Sequence, residues 1–525
     1  MSGCTSSPSP VQFAPDQALR LVAPRDVLTL DPAKIHQPSV ELSLARNVFG
    51  GLYRFRDGLV EEPDLATDMP TISPDGLTWT FQLRSGAHFS NGNPVKAEDI
   101  LYSWNRVASL TDYDSSFIFQ EVVGFTDVHE KRTKTLSGLT APNDHTVVAK
   151  LTKPAGYWIV ELGLWAAAVI DKNVVSARGE DTWWTTPEGL VGTGPFRMTS
   201  RVEGRSLDFE PVAGWWAGST GRMKRVHVDV VSDQSVQVSR YLAGDYDIVG
   251  YTPTDAFREV SDETISRFRN DSKLSSEMHL HPWLRTFHLG FLGQGRLATA
   301  ADAAARQALS LALDRSRIAD ICLPGASCEP ATGGIITKGL AGYLGDGGDP
   351  NAKHDVAAAQ ALLRTWDPTG TRRSGLRLGA TPPFRALAAE IKVEWQSALG
   401  LEVQLEVAEG QTIQRNASLG RYDITLGGFR VDYDSPQDWF SQLNSPCHAA
   451  LINAQFTDLV AAGDKKRPDD AVADYKKAGQ LLAEDAACPA LTYQQGVYLI
   501  KPWVVGAGGN TLYENYWTSI SILKH

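Results

Sequence analysis

A chain of 525 residues is long enough for two or three hydrophobic cores, because single cores stop growing near roughly 250–300 residues. With 42% hydrophobic and 21% charged residues it is not a disordered chain, and its net charge of −11, without any long basic run, excludes a phosphate-backbone binder. The longest apolar stretch, Trp158 to Ile170, is interrupted by Glu161 and is too short to span a bilayer.

In chain order, Cys4 comes first, between Ser2-Gly3 and the polar run Thr5 to Pro10. Small residues before a cysteine and a Ser/Pro tether after it look like the end of a bacterial lipobox. Residues 1–11 are therefore expected to be a disordered lipoprotein tether lipidated at Cys4, the signal peptide having been replaced by Met1. Further on, Ala45, Val48, Phe49 and Leu52 mark a buried helical face that Gly50-Gly51 ends. Phe81 and Leu83 alternate with polar neighbours as a half-buried strand does, and Asn91-Gly92-Asn93-Pro94 supplies a reversal. Ile100, Leu101, Trp104 and Val107 then recur at helical spacing.

Strand-like Val226 to Val231 is followed by alanine-rich helical stretches, Ala298 to Ala312 and Asp355 to Leu363. Leu401 to Val407 alternates cleanly and predicts a strand with one wet face. Mixed elements in this order predict an α/β chain. Four cysteines remain. Cys322 and Cys328 flank a short loop that a disulfide would close, which leaves Cys447 and Cys488 to join each other, although four cysteines allow three connectivities. No Cys-x-x-Cys pair supports a zinc site.

The wording of Leu83 to Val107, LRSGAHFSNGNPVKAEDILYSWNRV, closely resembles the signature of the family 5 solute-binding proteins of ABC importers, the oligopeptide and dipeptide receptors. Five further segments resemble the family in the same order. They are Leu30 to Phe55, VGTGPFRM with AGWWAG (Val191 to Gly218), Ala305 to Asp320, Arg421 to Phe440 and Ala490 to Gly506. The resemblance implies a two-lobed periplasmic-binding-protein-like fold (type II, cluster C) with an extra domain inserted in lobe I. Lobe I would take residues 12–55, 190–282 and 495–525, the extra domain 56–189, and lobe II 283–494. The crossings between lobes would lie near Pro282-Trp283 and Gln494-Gln495.

By the same resemblance, a peptide ligand lies between the lobes. Asp432, in Gly427-Gly428-Phe429-Arg430-Val431-Asp432, matches the aspartate that pairs with the ligand's α-ammonium. His36, Gln37 and Pro38 match a segment whose backbone meets the ligand, with Pro38 able only to accept. Phe429 and Gly428 belong to the ligand strand. Tyr113, Phe117 and Phe119 follow the helix in a region that lines the cleft in relatives, and Tyr493 and Gln494 sit beside the second crossing. Arg430 departs from the family's usual small or neutral residue. In a strand it shares a face with Asp432, and it either neutralises that carboxylate or binds a ligand carboxylate or phosphate.

No nucleophile elbow, Walker loop or paired catalytic acid stands out, so binding is expected and catalysis is not. His279, His281 and His288 lack partner ligands at useful spacing, and no metal or other cofactor is expected. The Asp-Tyr-Asp-Ser quartets at Asp112 and Asp432 lack the glycine and glutamate of a calcium loop. The expected protein is an extracytoplasmic monomer, anchored only by its N-terminal lipid, whose partners are a peptide and the permease subunits. The alternative is the same fold acting as a cell-envelope regulator, or as a receptor for glutathione, haem, an oligosaccharide or a nickel complex.

Overall fold

A computed structural model describes residues 11–36, 40–55, 61–250, 262–272, 274–322, 327–441, 447, 453–507 and 516–525. Cys4, Gln37 and Pro38 lie outside them, as does the tether up to residue 10. Strands and helices alternate along the chain, as the α/β expectation requires. The spine is an eleven-stranded sheet crossed by two long strands, Met278–Phe291 and Ala490–Ile500. Beyond Ala490–Ile500 lie Ile248–Val249, Ala18–Ala23, Arg225–Val230, Ser206–Pro211 and Phe196–Val202. Beyond Met278–Phe291 lie Ile424–Arg430, Leu376–Ala380 and Val403–Val407. Two bodies of sheet are thus joined by a pair of shared strands, which is the two-lobed arrangement. Val403–Val407 is an edge strand, with Val403 buried and Gln404 and Glu406 exposed.

A separate four-stranded sheet, in the order Thr71–Ile72, Thr78–Gln82, Thr146–Lys150, Leu139–Asn143, receives the helix Ala97–Ala108. The helix starts where the Asp99 carboxylate accepts the Lys96 N–H at 2.9 Å, satisfying a backbone donor at its N-terminus. Ile100, Trp104 and Val107 are buried, but Leu101 is only half-buried. Consecutive helical residues point about 100° apart, so Ile100 and Leu101 cannot both face the sheet. Trp104 meets Phe119 at 5.3 Å, Phe81 at 5.9 Å and Trp158 at 6.0 Å between ring centroids. The stretch Trp158 to Ile170 is buried throughout and breaks into a short helix, Trp158–Glu161, and a 3-10 turn, Trp165–Ala167. Among the described residues no helix is long and apolar enough to cross a membrane.

The alanine-rich stretch from Ala298 is shorter than its composition predicts. Its α-helix spans Ala303–Leu311, because Asp302 first accepts the Thr299 N–H and builds a separate 3-10 turn. Both cysteine pairs are bridged, Cys322 to Cys328 and Cys447 to Cys488, with Cα separations of 6.4 and 5.4 Å. The first bridge ends on the strand Ser327–Pro330, which pairs with Ala490–Ile500, and the second ends two residues before that crossing strand begins. Both therefore fasten the crossing strand by limiting the freedom of the unfolded chain around it.

Candidate ligand cleft

The strand Ile424–Arg430 runs to the junction of the lobes. Gly428 faces Phe287 across the sheet, and a Cβ at 428 would lie 2.3 Å from the Phe287 ring. The glycine assigned to the ligand thus has a packing role, because the ring fills its side-chain position. Phe429 is half-buried and meets Trp439 edge-on at 5.0 Å. At the strand end, Arg430 lies directly opposite Arg285. Like charges facing each other across a sheet repel, and the carboxylates that follow in the chain offset that repulsion. Asp432, Asp434 and Asp438 follow within eight residues.

Asp432 is half-buried, and its N–H donates to Asp438 Oδ2 at 2.5 Å. Asp438 sits in the short helix Pro436–Ser441 and is buried. This bond folds the chain back, leaving Asp432 at the corner and sending Asp438 inward. Burial above all, then the neighbouring Asp432, holds the Asp438 carboxyl well above the usual carboxylate range. From the small-sheet side Phe117 stacks on Tyr433 at 5.9 Å, and nearby His36 stacks on Tyr113 at 5.1 Å.

The other candidates go elsewhere. Phe119 is fully buried against Trp104, so it belongs to the core. Tyr493 is buried with its hydroxyl donating to the Gly334 carbonyl at 2.7 Å and accepting from the Gly333 N–H. Gln494 is also buried, opposite Cys328. Period-2 patterning could not warn of this, since both faces of the crossing strand are covered.

The crossing strands bend at the expected place. Pro282 opposes Gln495 and Thr286 opposes Tyr493, so Trp283, Leu284 and Arg285 are set against Gln494 alone. Leu284 is fully buried with φ +46°, a left-handed conformation that costs a leucine about 1–3 kcal/mol. A Cβ at Gly496 would lie 2.0 Å from Trp283 Nε1, so the bent segment packs directly on glycine backbone.

One trio of potential metal ligands converges among the described residues, His288 with Cys447 and Cys488. Both sulfurs are consumed in the disulfide, which leaves a single imidazole. His279 is exposed and His281 meets Tyr498 edge-on, as ordinary strand residues do. Residues that sequence reasoning missed are Arg285, Asp438, Tyr433 and Glu161. Glu161 alone left a visible signal, the interruption of an apolar run.

A profile of the family described as "Bacterial extracellular solute-binding proteins, family 5 Middle" matches residues 61–450. The periplasmic oligopeptide-binding protein OppA of Salmonella typhimurium is 26% identical, with 99% of this chain and 95% of that protein covered. The murein tripeptide-binding protein MppA in its unliganded open form superimposes with a TM-score of 0.83 at 25% identity, covering 99% of each chain. A second structure, of MppA from Escherichia coli, gives 0.66 at the same identity, covering 98% of this chain and 100% of that one. These families bind solutes for transporters and are not enzymes. The chain belongs to the bacterial extracellular solute-binding proteins of family 5.

Proposed function

We propose that the chain is the receptor of an ABC importer, capturing peptides with a free amino terminus between its lobes and delivering them to a membrane permease. The observation that carries this reading is Asp432, a half-buried carboxylate tied to the lobe junction through its own N–H. A desolvated ammonium needs a charge partner together with hydrogen-bond acceptors, and such a carboxylate offers both. The names of the relatives, one for oligopeptides and one for a murein tripeptide, support a peptide ligand. Arg430 and Arg285 add cations suited to a ligand carboxylate. Phe117 and His36 supply apolar walls, and the bent crossing strands supply the flexing that lobe closure requires. In this reading Cys4 carries the lipid anchor and the monomer works on the outer face of the cytoplasmic membrane.

Calorimetry with tripeptides and tetrapeptides tests the site. Asp432→Ala should cost about 2–5 kcal/mol of binding, tens to a few thousand fold. Unchanged affinity for a bound peptide would remove Asp432 from the site, and no heat from any peptide would remove the peptide.

A further inference from the structure

Glu161 ends the short helix Trp158–Glu161 and is 0% exposed, with neither carboxylate oxygen in good hydrogen-bond geometry and the Tyr433 hydroxyl beside it favouring the charged form. Its helix belongs to the small-sheet side, where Trp158 packs on Trp79 and Phe81. The carboxylate looks the other way, toward Tyr433 and Asp438 at the end of the ligand strand. Tyr433 has one hydroxyl proton, and it is donated to Gln437 Oε1. The seam continues on both sides of Glu161. Phe117 stacks on Tyr433, and the Gly156 N–H donates to the Asp464 carbonyl at 2.7 Å.

The charged and titratable groups facing this seam carry both signs, with Lys466, paired with Asp474, and Arg467 packed by their backbone against Gly156. The small-sheet side brings Glu121, which accepts from the Tyr157 hydroxyl at 3.1 Å and pairs with Lys153 at 3.0 Å. The other side brings Asp438, Asp432, Tyr433 and Arg430, and Asp464, which accepts from the Tyr475 hydroxyl at 2.8 Å. Lys153 is more than half exposed and engaged by Glu121, so it does not neutralise Glu161. Both Glu161 oxygens are sealed from solvent.

We propose that Glu161 and Asp438 each take a proton from solvent when the two sides dock, forming a proton-dependent latch between the small-sheet unit and the turn that carries Asp432. Burial, then Asp438, raises Glu161 well above the ordinary range, and burial, then Asp432, does the same to Asp438. Burial also lifts Asp464 to about 6. A raised value in the docked state means that docking binds protons. The contribution is complete below the ordinary carboxyl range of about 4 and is lost as pH rises from there through the raised values, a loss that Asp464 completes near 6 and that Glu161 and Asp438 carry to higher pH. Because Asp438 also holds the Asp432 N–H, ligand capture inherits this pH dependence, a clause that rests on the peptide-receptor reading.

Amide exchange at Gly156 in the ligand-free protein, corrected for intrinsic exchange, reads docking without any peptide. Wild-type protection should fall as pH rises from 5.5 to 8.5, by up to about tenfold per pH unit for each carboxyl until its docked value is passed. Glu161→Gln keeps the shape without the charge and should fall less steeply than the wild type, as should Asp438→Asn, because each variant removes one of the two proton uptakes. A flat wild-type profile, or a Glu161→Gln profile that falls as steeply as the wild type, overturns the latch. A peptide that fails to bind overturns the receptor reading and leaves the Gly156 result standing.

Discussion

The aromatic core of the small sheet and the charged corner at the lobe junction lie close together and are built by opposite rules. In the core, residues three and four apart on one helix, Ile100, Trp104 and Val107, close on alternate residues of one strand, Trp79 and Phe81. At the corner, Arg285, Glu161 and the run holding Arg430, Asp432 and Asp438 come from three separate stretches of chain, which strand register and long-range packing bring together. Local periodicity therefore encodes the first region, whereas long-range pairing encodes the second. Substitutions should separate the two: core changes should reduce stability and leave intrinsic ligand affinity alone, while corner changes should do the reverse.

The largest expected effect is Trp104→Ala. It empties a site bounded by Phe81, Phe119 and Trp158 and should cost about 3–5 kcal/mol of unfolding free energy in denaturant titration. A loss below about 1 kcal/mol would mean that the core collapses around the gap, and the contrast with the corner would weaken. A finer comparison lies within the ligand strand. Gly428→Ala drives a methyl into Phe287 and should cost about 1–3 kcal/mol, whereas Gly427→Ala has no atom within 4 Å to meet and should be nearly neutral. Equal effects at the two positions would show that the strand shifts to absorb the methyl.

This contrast also accounts for what could be read from the sequence. The helix Ala97–Ala108 and the strand Val403–Val407 were legible because each buries one face, which imposes a period on neighbouring residues. The family, and with it the two lobes, was legible from the wording of six segments. Phe119 and Tyr493 were misplaced because a residue type states affinity for an interior without saying which interior. Arg285 was invisible, since nothing in Trp-Leu-Arg-Thr-Phe reveals that Arg430 stands opposite. Glu161 was visible only as a flaw in an apolar run.

His288 gives the smallest effect and the sharpest sign. It is buried between Trp439 and the Cys447–Cys488 bridge, with neither ring nitrogen in good hydrogen-bond geometry, and burial, opposed only by the Thr286 backbone, lowers it to about 4. A base whose value falls on folding stabilises the fold above its ordinary range near 6.5, and that contribution is lost as pH falls toward 4. His288→Phe keeps a ring of similar size, removes two unsatisfied polar atoms, and cannot be protonated. It should raise stability by about 1 kcal/mol at neutral pH and by more at pH 4.5, measured by denaturant titration at both values. The gain must grow on acidification, because below pH 6.5 the unfolded wild type takes up a proton that the buried imidazole refuses until near 4. An equal gain at both pH values would mean that the imidazole titrates alike in the folded and the unfolded chain, and that the pH sensitivity of the junction resides in the carboxyls of the seam alone.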